Sequence, residues 1–149
     1  MNIFGRMNEI SGMIREGTEN AIVTSIAERY VGFPWVEGLP MVFGYIRGLI
    51  RFQVEKNNED VSLTVEQTLG QGYGDCEDQT ILLGSVLTRM GYNVRLKVVG
   101  TKPNNFTHIY PVVGIPKLNP TNWLPLDVAS KSPIGGEPAW KKVEMVFPL

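Results

Sequence analysis

The chain has 149 residues, of which 43% are hydrophobic and 19% charged, and these values are typical of a single domain spanning residues 1–149. The 14 Lys and Arg residues nearly balance the 15 Asp and Glu residues, so the net charge is −1. Such a balance offers no basic field for nucleic acid or an anionic membrane. One cysteine and one histidine also exclude an internal disulfide and a structural zinc cluster, and nothing in the composition calls for a cofactor.

The amino-terminal residues lack the long apolar run and the small-residue cleavage site of a secretory signal. The longest apolar stretch, residues 41–52, is interrupted by glycines and arginines and is too short to cross a bilayer. We therefore expect a reducing compartment, the cytoplasm, and no membrane span.

A first helix is predicted within residues 1–17. Its apolar residues recur at the spacing of one helical face: Ile3, Met7, Ile10 and Ile14. Two interpretations stay open at this point. The favoured one packs this face on the protein's own core, and the other makes the segment an arm that docks on a partner protein.

A second helix is predicted over residues 19–31, with Ile22, Ile26 and Tyr30 on its apolar face. Gly32 follows as its C-terminal stop. The Pro-containing stretch after it breaks the helical pattern.

A third helix is predicted over residues 41–54, and its apolar positions cover most of its circumference, which indicates burial. Residues 55–60 are expected to form a solvated turn. Thr64 and Gln67 have the spacing of a capping box, which predicts a short helix before the next glycine cluster.

The clearest helical pattern begins at Cys76 and stops at Gly91. The apolar positions of this helix are Ile81, Leu82, Leu83, Val86, Leu87 and Met90. Beyond Gly91 the period changes to two, which predicts strands; the segments are 94–98, 106–115, 123–128 and 142–147. Helices followed by strands predict an α+β domain.

Three side chains could together carry nucleophilic chemistry. Cys76, the sole thiol, opens the clearest helix, where unpaired backbone N–H groups and the helix dipole favour an anion. His108 lies on a predicted strand and Asp127 on the next. A thiolate, an imidazole and an orienting carboxylate are the groups that this chemistry needs.

Three carboxylates beside the thiol oppose its ionisation: Asp75, Glu77 and Asp78. Asp75 is expected to cap the helix, while Glu77 and Asp78 should point away from the sulfur. We therefore expect His108 to dominate and to form an imidazolium–thiolate pair with Cys76.

The remaining parts of a site are less clearly marked. An oxyanion hole would combine the Cys76 backbone N–H with a donor that precedes the nucleophile, for which the candidates are Gln67, Gln71 and Tyr73. The aromatic residues expected in the cleft wall are Trp123 and Tyr110. Three alternating glycines before Cys76 resemble a phosphate loop only weakly, because the Gly-Lys-Ser/Thr of a P-loop is absent and carboxylates follow.

Taken together, these segments resemble the transglutaminase-like superfamily over residues 40–130. The matching residues are Gly74-Asp75-Cys76-Glu77-Asp78, Arg89-Met90-Gly91-Tyr92, Val94-Arg95, His108 and Trp123-Leu124-Pro125-Leu126-Asp127. The resemblance implies a papain-like α+β core with the cysteine helix packed on an antiparallel sheet. It also implies that Cys76 is the nucleophile, His108 the acid/base and Asp127 the orienting carboxylate. The implied reaction is attack on an amide of a protein or peptide, giving a thioester that water or an amine resolves.

Two features depart from the superfamily pattern. Pro111 follows shortly after His108 and indicates an edge strand or a bulge. The chain is also far shorter than the calcium-regulated cross-linking enzymes, which makes that activity improbable here.

Two further functions remain open beside the enzyme. Small domains of this type also resemble those encoded by bacterial viruses, so the chain could be a non-catalytic docking module of a bacteriophage particle, held by the face of Ile3, Met7, Ile10 and Ile14. A redox-sensing thiol is the third hypothesis.

Overall fold

The computed structural model describes residues 2–54 and 62–149, so the turn predicted over residues 55–60 lies outside the described residues. The elements in chain order are α1 (Ile3–Gly17), α2 (Ala21–Tyr30), α3 (Trp35–Leu49), β1 (Arg51–Phe52), α4 (Val65–Gln71), β2 (Tyr73–Gly74), α5 (Cys76–Arg89), β3 (Val94–Lys102), β4 (Asn105–Ile115), β5 (Asn122–Pro125) and β6 (Val143–Pro148). The α+β class predicted from the sequence is confirmed. In the two described stretches, no helix combines the length and apolarity needed to span a bilayer.

Helix α5 is the centre of the fold. One side of it packs on an antiparallel sheet of order β5-β4-β3-β6, and the Thr80 hydroxyl donates to the Ile109 carbonyl of β4 at 3.3 Å. Helices α1, α2 and α4 also contact α5. The predicted arrangement, a cysteine helix packed on an antiparallel sheet, is therefore confirmed.

Helix α1 packs its apolar face on the protein's own core. Met7 is 4% exposed, and Ile10 and Ile14 are fully buried. At Gly17 an added Cβ would lie 2.2 Å from the Ser85 hydroxyl oxygen, so only glycine permits this close approach to α5. The favoured interpretation of this helix is confirmed. The docking interpretation is wrong for this face, because α5 already covers it.

Helix α2 buries most of the predicted face, since Ile26 is buried and Tyr30 packs against the core, but not Ile22. Val23 and Ile26 are buried, whereas Ile22 is 52% exposed. Asn20 caps the helix by accepting hydrogen bonds from the backbone N–H groups of Ile22 and Val23. Ile22 therefore lies in the solvated first turn and contributes little to the core.

Helix α3 begins six residues before the predicted start and ends earlier. Pro34, in an extended conformation, precedes its first residue, Trp35, and Pro40 lies inside the helix. Pro40 removes one hydrogen-bond donor without ending the helix, which is why the sequence pattern was misleading. Burial is also confined to one face, formed by Leu39, Val42, Phe43 and Ile46.

Pro111 lies in an interior strand, so the prediction of an edge strand is wrong: β4 pairs with both β3 and β5. The Pro111 carbonyl accepts a hydrogen bond from the Leu126 N–H, just beyond the end of β5. Because the N–H and C=O of a strand residue point to the same side, the missing N–H faces the end of β5 and costs no bond to β3.

Candidate active site

Local sequence fixes Cys76 at the start of α5. Asp75 is the N-cap, and its carboxylate and that of Asp78 each accept a backbone N–H of the other residue at 3.0 Å. Asp78 also accepts the Leu63 N–H at 2.8 Å. At Gly74 a Cβ would come within 2.7 Å of the Asp78 Cβ, so glycine is required there. The thiol thus sits at the first helical residue, whose N–H has no acceptor inside the helix.

The structure brings His108 and Asp127 into direct contact. Nε2 of the imidazole lies 2.9 Å from both carboxylate oxygens of Asp127. The Asp127 side chain is fully buried and the His108 side chain is 12% exposed. Because a carboxylate only accepts hydrogen bonds, Nε2 is the protonated nitrogen. Nδ1 is then the ring nitrogen that can accept and release a proton.

Cys76 and His108 line the same open cavity, which has a volume of about 510 Å³. Helix α1 contributes part of the wall through Ile3, Arg6 and Met7. The described residues contain no hydrogen bond between the Cys76 sulfur and the imidazole.

The pKa of the Cys76 thiol is raised to about 12, which opposes the predicted imidazolium–thiolate pair. Burial is the largest cause, and the negative charges of Asp75, Glu77 and Asp127 add to it. The Ile109 backbone N–H, which hydrogen-bonds to the sulfur, opposes the shift. Desolvation therefore outweighs the helix terminus that led us to expect a thiolate.

Glu77 is held by an ion pair with Arg6 that the sequence analysis did not find. The guanidinium donates from Nε at 2.7 Å and from Nη2 at 2.6 Å to the two carboxylate oxygens. Both side chains line the cavity. The two residues are 71 positions apart, so no local pattern in the sequence indicates the pair.

None of the three predicted oxyanion side chains lines the cavity that holds Cys76. Gln67 is exposed and closes the capping box of α4 through its bond from the Thr64 N–H. The Gln71 amide donates to the Tyr73 carbonyl at 2.7 Å. These residues lie around the α4–β2 turn instead, where Gln67 and Gln71 form the local hydrogen bonds just described.

The aromatic residues near the imidazole differ from the predicted pair. Tyr110 contacts the His108 ring with 5.6 Å between centroids, and Trp140 does so at 6.3 Å. Trp123 instead stacks under the Arg95 guanidinium at 3.8 Å and lines other cavities. Trp140 is thus the tryptophan at the site, brought there by the loop that precedes β6. Within residues 2–54 and 62–149, no cluster of three or more His, Cys, Asp and Glu could hold a metal ion.

Comparison with known proteins identifies the fold. No protein-family profile and no curated protein matches the chain. Among solved structures, a proposed cysteine protease from Cytophaga hutchinsonii matches 85% of this chain with a TM-score of 0.56 and 15% identity. LapG from Legionella pneumophila matches 84% with a TM-score of 0.56 and 14% identity.

The matches cover unequal shares of the two known proteins. This chain spans 46% of the Cytophaga protein and 75% of LapG. At such low identity the likeness concerns the path of the backbone. The chain shares its fold with these two proteins, in agreement with the predicted papain-like, transglutaminase-like α+β core.

Proposed function

We propose that the protein is a cysteine-dependent hydrolase or acyl transferase that acts on an amide bond of a protein or peptide. In this proposal Cys76 is the nucleophile, His108 the acid/base and Asp127 the orienting carboxylate. The observation that carries it is the contact of His108 with the buried Asp127 at 2.9 Å, on a ring that shares a cavity with the sole thiol.

The fold supports the same class of reaction. One structural neighbour is described as a proposed cysteine protease, and a protein or peptide substrate follows from that description. The cavity is open and about 510 Å³ in volume, which is large enough for a side chain of an extended peptide.

The proposed reaction has two stages. Sγ attacks the amide carbonyl carbon while the thiol proton passes to Nδ1 of His108. The carbon–nitrogen bond then breaks, the imidazole returns this proton to the leaving amine, and a thioester remains. Water or a second amine, deprotonated by His108, attacks the thioester, and cleavage of the carbon–sulfur bond restores the thiol. Asp127 accepts the Nε2–H bond and stabilises the imidazole cation.

Within this proposal, the raised pKa of Cys76 calls for a general base, and we propose His108 for that task. A thiol that is neutral at rest must lose its proton as the carbon–sulfur bond forms. General-base catalysis by the imidazole supplies that step.

A mass-spectrometric assay with a defined peptide pool in ¹⁸O-labelled water, with and without a fluorescent primary amine, tests the proposal. Hydrolysis places ¹⁸O in a product carboxylate, whereas transfer attaches the fluorescent amine. Cys76→Ala and His108→Gln should abolish either product; glutamine keeps a donor for Asp127. If the wild-type chain forms neither product, or the variants form as much, the enzyme proposal fails. A non-catalytic module of a bacteriophage particle or other assembly then becomes the better hypothesis.

A further inference from the structure

Arg47 of α3 reaches into the loop that carries Asp127. Its guanidinium lies 4.3 Å from the Phe43 ring centroid. It donates hydrogen bonds to four backbone carbonyls of the loop, at 3.3, 3.0, 2.9 and 2.7 Å, which belong to Val128, Asp127, Ser130 and Ser132 respectively.

The loop depends on these bonds because Asp127 lies beyond the end of a strand. β5 ends at Pro125, and the last bond of this segment to β4 runs from the Leu126 N–H to the Pro111 carbonyl. After it, the chain turns around the guanidinium with its carbonyls directed inward. The arginine therefore takes over the role that a sheet partner would play for residues 127–132.

The four bonds leave from two nitrogens of the guanidinium. Nη2 faces the carbonyls of Asp127, Ser130 and Ser132, and because it has two N–H groups, at least one hydrogen is shared between two acceptors. Nε–H adds the bond to the Val128 carbonyl, a second point of attachment that the single nitrogen of a lysine ammonium does not offer. The Phe43 ring packs against the guanidinium.

We propose that Arg47 is the positioning residue of the site, holding the backbone at Asp127 so that its carboxylate meets Nε2 of His108. The proposal rests on the proposed function only in that this contact then serves catalysis. Arg47 itself touches neither His108 nor Cys76 through the bonds described. It acts through the loop.

The single histidine of the chain makes the proposal directly measurable. In ¹⁵N-labelled protein, the His108 Nε2–H proton should appear as a downfield resonance protected from solvent exchange, because a buried carboxylate accepts it. Arg47→Ala should remove this protection from solvent exchange, while the backbone amide spectrum remains that of a folded protein. Guanidinium ion at non-denaturing millimolar concentration should restore the resonance by refilling the vacated position.

Arg89→Met is the matched control, since Arg89 also donates to a backbone carbonyl, that of Thr18 at 3.4 Å, but far from the site. It should leave the resonance unchanged. If Arg47→Ala does not fold, Arg47→Met, which keeps an apolar stem without any donor, gives the same test, with loss of protection again expected. A folded Arg47 variant that keeps the protected proton overturns the proposal.

The two proposals fail in different ways. Acetylation of Cys76 by p-nitrophenyl acetate should slow about tenfold in Arg47→Ala if the positioning serves catalysis. If Arg47→Ala loses the protected proton but Cys76 of the wild-type protein is not acetylated, positioning by Arg47 is supported and the enzyme proposal is contradicted. An unchanged proton in an active enzyme would contradict positioning alone.

Discussion

The Asp127 carboxylate places both of its oxygens 2.9 Å from Nε2 of His108. The carboxylate is fully buried, and a buried charge is stable only where it is paired and hydrogen-bonded. The imidazole is thus the group that makes burial of Asp127 tolerable. In return the carboxylate fixes which ring nitrogen carries the proton, and this reciprocal dependence underlies the first prediction.

Asp127→Asn should slow acetylation of Cys76 by p-nitrophenyl acetate at least about a hundredfold. The asparagine amide can donate an N–H to Nε2, which favours the imidazole tautomer that carries its proton on Nδ1. In that tautomer Nδ1 cannot accept the thiol proton. Release of nitrophenol and the intact mass of the protein report the rate. Glu137→Gln, which alters a carboxylate bonded to the Tyr110 hydroxyl and not to the imidazole, is the control. A rate within twofold of the wild type would contradict the role of Asp127.

The pH dependence of Cys76 alkylation follows from its raised pKa. Iodoacetamide reacts with the thiolate, and with a pKa of about 12 this species is rare at neutral pH. The rate should climb with pH through pH 10 without a plateau. At pH 7.5 it should be roughly a thousandfold below that of the urea-unfolded chain, whose cysteine has a pKa near 8.5. A plateau below pH 7 would instead indicate the ion pair that the sequence led us to expect.

Glu77→Gln should make alkylation of Cys76 roughly threefold faster at pH 8. The Glu77 charge raises the pKa of the thiol. Its removal also means that Glu77 no longer neutralises the positive charge of Arg6, which stabilises a thiolate nearby. Both changes favour the thiolate.

Glu9→Gln is the control for that prediction. Glu9 is the more exposed carboxylate partner of Arg6, at 3.7 Å, and its loss keeps the Arg6–Glu77 contact. An equal acceleration in both variants would show that the effect is not specific to the residue beside the nucleophile.

Ile10→Asp should unfold the protein or destabilise it by at least about 3 kcal/mol, because it buries a charge in the core without a partner. Ile22→Asp, at a position 52% exposed, should change the free energy of unfolding by less than about 0.5 kcal/mol. Urea denaturation followed by circular dichroism measures both. A folded Ile10→Asp protein that loses only an assembly would revive the docking interpretation of α1.

Asp78→Asn tests a buried carboxylate whose pKa is raised to about 7 by burial. Its unfolded value is near 3.9, so the folded state binds more protons between these values, and wild-type stability should fall as pH rises from 4 to 7. Relative to the variant, the fall should amount to about 3 kcal/mol. Denaturant unfolding at pH 4.5 and 7.5 gives the difference. A wild-type stability that rises relative to the variant over this interval would contradict the assigned pKa direction.

The sequence was sufficient wherever the signal was local. The capping residue Asp75 and the apolar period after it located Cys76 at a helix start. The spacing of Thr64 and Gln67 located α4, and its capping box is present. The alternation after Gly91 located the sheet. These features depend on contacts between neighbours in the chain, which the sequence displays directly.

The sequence was insufficient where contacts join distant segments of the chain. It was also misleading at a proline that the helix accommodates. Arg47 looked like an interruption of an apolar helix, yet its partners lie 80 to 85 positions away. Pro40 predicts a break in the helical pattern, although α3 continues through it. The pKa of Cys76 depends on how deeply packing buries the sulfur, which no local pattern records.

The most direct test of the proposed chemistry is the fate of the sole thiol in the presence of p-nitrophenyl acetate at pH 7.5. Sγ attacks the acetyl carbon, the carbon–oxygen bond breaks, nitrophenolate leaves and the thiol proton passes to His108. The account predicts acetylation at Cys76 in the wild type at a rate about a hundredfold above that of His108→Gln. Equal rates in the two proteins, or an acetyl group found only at other residues, would contradict it.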